Sequence, residues 1–168
     1  MGSAADLDYS AKTELLAIEV GKLLAKRGAT VIFGAEKDYD SLSTVAARAA
    51  QAVGGRTVGI TYGKGKSIFS EVADVVIATG LERGGGREFS LVLSCDAIIC
   101  IGGGSGTLAE MAVAYQAGIP IVTLNGTGGW AEKLGEQYMD ERKRILVKSA
   151  ASPKEAVNLA ISLAGRSS

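Results

Sequence analysis

The residues best suited to chemistry are Arg87, Glu110 and the stretch from Cys100 to Met111, CIGGGSGTLAEM. Four glycines, Gly102, Gly103, Gly104 and Gly106, fall within five residues, between an apolar run and a helical pattern. Glycine weakens helices and strands alike, so the cluster marks either a tight turn or a backbone that something must approach closely. Where a strand ends and a helix begins, backbone N–H groups lack partners and carry a partial positive charge. With no side chains in the way, a phosphate reaches them directly. On this reading Gly103, Gly104, Ser105, Gly106 and Thr107 bind a phosphate, and Ser105 and Thr107 add hydroxyl donors. A tight turn without a ligand is the alternative.

Arg87 and Glu110 each have two readings. Arg87 follows Gly84-Gly85-Gly86 at the expected start of a helix. A cation there opposes the helix dipole, and a bound anion would resolve the conflict. Otherwise it is an exposed loop arginine. Arg83 repeats the argument more weakly. Thr107-Leu-Ala-Glu110 has the spacing of a capping box, which would make Glu110 a structural acceptor. It is equally placed to be a catalytic carboxylate.

Composition removes other chemistries. There is no histidine, so Ser-His-Asp triads, histidine acid–base catalysis and most zinc sites are excluded. No cluster with metal-ligand spacing stands out. Eighteen basic residues balance eighteen acidic ones, which leaves no footprint for nucleic acid or an anionic membrane. No apolar run approaches a membrane span, and the N-terminus lacks the regions of a signal peptide. Cys95 and Cys100 read as buried thiols, which favours a cytoplasmic location. Gly104, Gly106 and Ala109 fit a dinucleotide fingerprint formally, but no acidic residue follows at the ribose position. Gly63-Lys-Gly-Lys-Ser67 resembles the end of a P-loop, but the required glycine would fall at Ile60.

The elements that must position these residues alternate. Helical spacing runs over residues 10–27, 41–53, 87–95 and from the glycine loop to Ala117. Two further helices are expected over 129–138 and after Ser152-Pro153, with serine as N-cap and proline at the first helical position. Strands are expected over 30–33, 56–61, 74–78, 96–101, 119–124 and 144–148. The order predicts one α/β domain with a mainly parallel, doubly wound, Rossmann-like sheet and helices on both faces. The 168-residue length suits a single domain.

Gly103-Gly-Ser-Gly-Thr-Leu-Ala-Glu110 resembles the G-G-x-G-T-x-x-E motif of the Lonely Guy, or lysine-decarboxylase-like, superfamily. The similarity extends over nearly the whole chain. Gly126-Thr-Gly-Gly-Trp130 and Ser152-Pro-Lys-Glu-Ala156 resemble the branch that holds the molybdenum cofactor carrier proteins. The superfamily's enzymes hydrolyse nucleoside 5′-monophosphates to a free base and ribose 5-phosphate. The resemblance therefore implies that Arg87 and Glu110 would be the catalytic pair of a hydrolase. It also implies a bound nucleotide or molybdopterin-type ligand without a further required cofactor, and assembly as a homodimer or homotetramer. The stripe of Met111, Ala112, Ala114 and Tyr115 is a candidate for that interface, with core packing as the other explanation.

This chain departs from the hydrolase pattern. Gly102 stands where the hydrolases have proline, and Glu88 follows Arg87 where they have lysine. Phe33-Gly-Ala-Glu-Lys-Asp38 replaces a glycine-rich turn. Met1-Gly2-Ser3 resembles the end of a first strand whose remainder is missing, which places Gly2 and Ser3 beside the ligand. Gly102 and Glu88 favour a carrier that binds a phosphorylated small molecule. The Arg87/Glu110 pair keeps a phosphoribohydrolase as the alternative.

Overall fold

The computed structural model describes residues 1–3, 8–82 and 86–165. Arg83, Gly84 and Gly85 lie outside the described residues. The elements follow the order α1 (Ala11–Lys26), β1 (Thr30–Gly34), α2 (Leu42–Gln51), β2 (Arg56–Thr61), β3 (Val75–Ala78), α3 (Arg87–Leu93), β4 (Ile98–Cys100), α4 (Ser105–Ala117), β5 (Ile121–Leu124), α5 (Gly129–Leu134), β6 (Lys148–Ala150) and α6 (Pro153–Ala164). A 3-10 turn at Phe69–Glu71 interrupts the connection from β2 to β3.

Local sequence sets the helix starts. The hydroxyls of Ser10, Ser41 and Ser152 accept the N–H groups of Thr13, Thr44 and Glu155, each at the position an N-cap serves. Pro153 sits in the first turn of α6, where its missing N–H costs nothing. Gly118 closes α4 in the left-handed conformation.

All pairings among the strands are parallel. They form two runs, β1-β2-β3 and β4-β5-β6. Helices α1, α2 and α6 pack together on one side, and α3 and α4 contact each other on the other. This is the Rossmann-like arrangement expected from the alternation. The connections from β1 and from β4 step outward in opposite directions, so the point where strand order reverses lies between these two strands. In such sheets ligands bind at the carboxyl ends of the strands beside that point.

The interior is aliphatic. Ile101, Val122, Leu124, Ala156 and Val157 form one cluster under α1 and α6, and Val92, Cys100, Met111, Tyr115 and Ile121 form another around α4. Met111, Ala114 and Tyr115 are at most 2% exposed, so core packing accounts for these three within one chain, while Ala112 is half-buried. Burial pushes the Cys100 thiol up to about 12 and that of Cys95 to about 11, which leaves both protonated and unreactive at neutral pH. Among the described residues, no helix is long and apolar enough to cross a membrane.

Several expected boundaries move, and three of the shifts have a hydrogen-bonding reason. The last strand is Lys148–Ala150 rather than 144–148, because the Val147 backbone is paired with Glu136 and Gln137 instead of with β5. The same bonds end α5 at Leu134, short of residue 138. Strand β5 begins at Ile121, since the Ile119 N–H still closes α4 by donating to the Ala114 carbonyl.

Candidate functional site

The glycine loop joins β4 to α4 and is held from three directions. Gly102 and Gly103 both have positive φ, +63° and +102°, which glycine adopts without strain. Their carbonyls accept the N–H groups of Ala131 and Trp130 at 3.0 Å each, so the start of α5 lies directly on the loop backbone. A Cβ on Gly129 would overlap the Gly103 carbonyl, and one on Gly103 would overlap the Thr107 side chain. Their own N–H groups are also occupied. Gly102 donates to Thr127 Oγ1 at 2.9 Å, and Gly103 donates to Ser3 Oγ at 2.8 Å. Gly2 fits between Ile101 and Leu42, where a Cβ would meet Leu42 at 2.8 Å.

The following residues differ. Among the described residues, the N–H groups of Ser105, Gly106 and Thr107 have no partner, and Gly104 caps α4 without any side-chain bond. Ser105 and Gly106 are exposed. A Cβ placed on Gly106 would meet nothing within 4 Å. The loop therefore has two halves. Gly2, Ser3, Gly102 and Gly103 build it from inside, and Gly104, Ser105, Gly106 and Thr107 present an open helix N-terminus.

Helix α4 starts at Ser105, so Thr107 is already inside its first turn. The capping-box reading of Glu110 is thereby corrected: Thr107 is not the N-cap, and Glu110 lies in the helix interior facing inward. It is 7% exposed. Among the described residues its carboxylate forms no hydrogen bond or ion pair. Burial raises its pKa from the ordinary 4.5, the Met1 ammonium and Arg87 pull it back, and Glu88 and Glu36 push it up further.

Arg87 is the first residue of α3, as expected, but it is 4% exposed and not a solvated loop residue. Its guanidinium reaches across the carboxyl ends of β1 and β2. It stacks 3.9 Å from the Tyr62 ring centroid and donates to Tyr62 Oη. It also donates to Glu36 Oε1 and to the Ile60 carbonyl, both at 3.4 Å. Nε faces Glu88 Oε1 at 3.8 Å, too far for a hydrogen bond, and has no partner. Tyr62 passes its own O–H to Glu88 at 3.0 Å. The Tyr62 hydroxyl is pushed up to about 12, first by burial, against the pull of Arg87.

Glu36 and Tyr62 were not among the residues the motifs pointed to. Glu36 comes from the segment that replaces the glycine-rich turn, which was the available signal. Tyr62 follows β2, and nothing in its local sequence marks it. Glu88, which departs from the hydrolase pattern, contributes the second carboxylate beside the guanidinium. Among the described residues, no group of His, Cys, Asp or Glu side chains could hold a metal ion.

Comparison with known proteins now decides the family, because residues 1–157 match the SLOG cluster4 family. The chain belongs to the SLOG cluster4 family. A relative from Archaeoglobus fulgidus, an uncharacterized protein, is 32% identical over 90% of this chain and 87% of its own length. Among solved structures, the structural-genomics target TM1055 superposes with a TM-score of 0.85 at 28% identity, covering 96% of each chain. The molybdenum cofactor binding protein of Rippkaea orientalis gives 0.81 at 28% identity, over 97% of this chain and 93% of that one. The molybdenum cofactor carrier protein of Chlamydomonas reinhardtii gives 0.79 at 31% identity, over 98% and 95%. The SLOG cluster4 assignment agrees with the Lonely Guy resemblance and with its carrier branch.

Two variants probe the charge cluster. The folded state keeps the Glu110 proton to higher pH than the unfolded chain does. The stability from this group is therefore complete below about pH 4.5 and declines as pH rises through the raised folded value. Glu110→Gln is expected to melt above the parent at neutral pH, with the difference closing toward acid, in thermal melts across that range. Arg87→Ala removes the guanidinium that pairs with the half-buried Glu36 and faces the buried Glu88. Its midpoint is expected to fall by roughly 6–20 °C, so calorimetry must precede any activity reading of that variant.

Proposed function

We propose that this protein binds a phosphorylated small molecule of nucleotide or molybdopterin type and carries it without converting it. The observation that supports this most is the open start of α4. Three N–H groups in succession, on Ser105, Gly106 and Thr107, have no partner among the described residues and sit at the positive end of a helix of 13 residues. The phosphate would dock there, with the Ser105 and Thr107 hydroxyls as further donors. The names of the solved relatives, a molybdenum cofactor binding protein and a molybdenum cofactor carrier protein, support the same ligand class.

The charge cluster favours holding over hydrolysis. Arg87 is already paired with Glu36 and faces Glu88, so its charge is largely compensated within the protein. Such a guanidinium is a poor counter-charge for a phosphate and a good brace for the pocket wall. The inward carboxyl of Glu110 is left to accept N–H groups, which both a pterin and a purine offer. One observation keeps the hydrolase reading: a buried carboxyl with no protein partner, beside the loop, is suited to act at a glycosidic bond.

Gly106→Asp separates the site from the scaffold. The fold has room for the side chain, and a carboxylate near a helix start is favourable to the helix. The variant should keep or raise its melting temperature and lose roughly tenfold or more in affinity for nucleoside monophosphates or a molybdopterin-type ligand, read by calorimetric titration. Unchanged affinity would remove α4 from the site. Chromatography of the same mixtures tests hydrolysis. Release of free base and ribose 5-phosphate by the parent, abolished in Glu110→Gln, would replace the carrier reading with the hydrolase one.

A further inference from the structure

Glu110 is the single charged side chain of α4. It is 7% exposed, yet its oxygens are not sealed in. Among the described residues, Arg87 Nε is the one fully buried side-chain polar atom that lacks a partner. The unbonded Glu110 oxygens therefore reach open space. Helix geometry aims them at the free N–H groups. Glu110 Cα lies roughly 4.5–7.5 Å along the axis from those of Thr107, Gly106 and Ser105. Its Cα–Cβ bond tilts back toward the helix start. Thr107, 4% exposed, shares its inward face three residues earlier.

The surroundings of Glu110 favour its protonated form. Glu88 and Glu36 oppose ionisation, and the Arg87 guanidinium that favours it is shared with both. The Met1 ammonium is the other cation in reach. The nearby Cys95 and Cys100 thiols stay neutral. On α5, Glu132 and Lys133 are exposed and turn instead to the Gly126 N–H and the Trp130 ring. A phosphate dianion at the first turn of α4 adds a like charge, which disfavours the carboxylate further.

We propose that Glu110 joins the site as a neutral carboxylic acid, so that loading of the phosphorylated ligand takes up as much as one proton. This rests on the reading of the α4 start as a phosphate site. The neutral acid adds an O–H donor to the N–H groups of residues 105–107. Its carbonyl oxygen stays available to accept an N–H of the ligand. Affinity is greatest where Glu110 is already protonated in the free protein. It falls as pH rises from that midpoint to the higher midpoint of the complex.

The test is calorimetric titration with guanosine 5′-monophosphate, and with inorganic phosphate as a second probe, in paired buffers of different ionisation heat. It spans pH values from about 5.5 to about 8.5 and includes Glu110→Gln, which reports the proton linkage of the phosphate itself. The parent is expected to take up more protons per ligand than the variant. Its affinity should fall roughly tenfold or more across the range, beyond any fall in the variant. Carbon-13 signals of the Glu110 carboxyl give a second readout on the parent alone. Their midpoint should lie above the ordinary 4.5 and rise by about one unit or more in the complex. Equal proton uptake and equal pH profiles in both proteins, or a carboxyl midpoint unmoved by the ligand, would overturn the inference and leave the phosphate site standing. No saturable binding at any pH would remove the phosphate site and the inference with it.

Discussion

The candidate site depends on one close contact, the start of α5 lying against the backbone of Gly102 and Gly103. Two N–H groups of α5 are satisfied by the glycine carbonyls, and a single methyl on Gly129 would break the fit. That contact fixes both glycines at positive φ, and their N–H groups then turn away from solvent toward Thr127 and Ser3. The turn is thereby saturated on the inside. Helix α4 begins two residues before Thr107, and the N–H groups of Ser105, Gly106 and Thr107 have no partner among the described residues. Gly102 and Gly103 allow backbone to touch backbone, and Gly106 leaves open space beside the first turn of α4.

The second constraint is electrostatic. A guanidinium 4% exposed is tolerable only with compensation, and Glu36, Glu88 and Tyr62 provide it. Among the described residues, Arg87 Nε has no hydrogen-bond partner and the buried Glu110 carboxyl has no hydrogen bond or ion pair, so compensation is incomplete at both. Both carry a desolvation cost that an apolar substitution of similar size would avoid. Costs of that kind concentrate at functional sites. The Arg87 guanidinium lies at the carboxyl ends of β1 and β2, the end of the sheet where such folds place ligands, and it is close enough to pull the Glu110 pKa down.

Much of this was legible in the sequence. The alternation of strand and helix and the Ser152-Pro153 helix start carry short-range signals, and each survives in the fold. The glycine loop and Arg87 at a helix start were legible for the same reason. What misled was a local rule applied where a distant contact decides. Thr107-Leu-Ala-Glu110 has capping-box spacing, but α5 packing on Gly102 and Gly103 moves the helix start upstream. The last strand shifted because Glu136 and Gln137 bond to Val147 across a loop. Glu36 and Tyr62 approach Arg87 only through the sheet, from the ends of two different strands, and no spacing in the chain encodes that meeting.

The most direct test of the account is a titration of the isotope-labelled protein with a nucleoside 5′-monophosphate or a molybdopterin-type ligand, followed by amide resonances. The account predicts that the N–H signals of Ser105, Gly106 and Thr107 move downfield and saturate together, as phosphate oxygens accept them. Those of Gly102 and Gly103, already bonded inside the protein, should move far less. Saturable shifts elsewhere, with residues 105–107 unmoved, would contradict it.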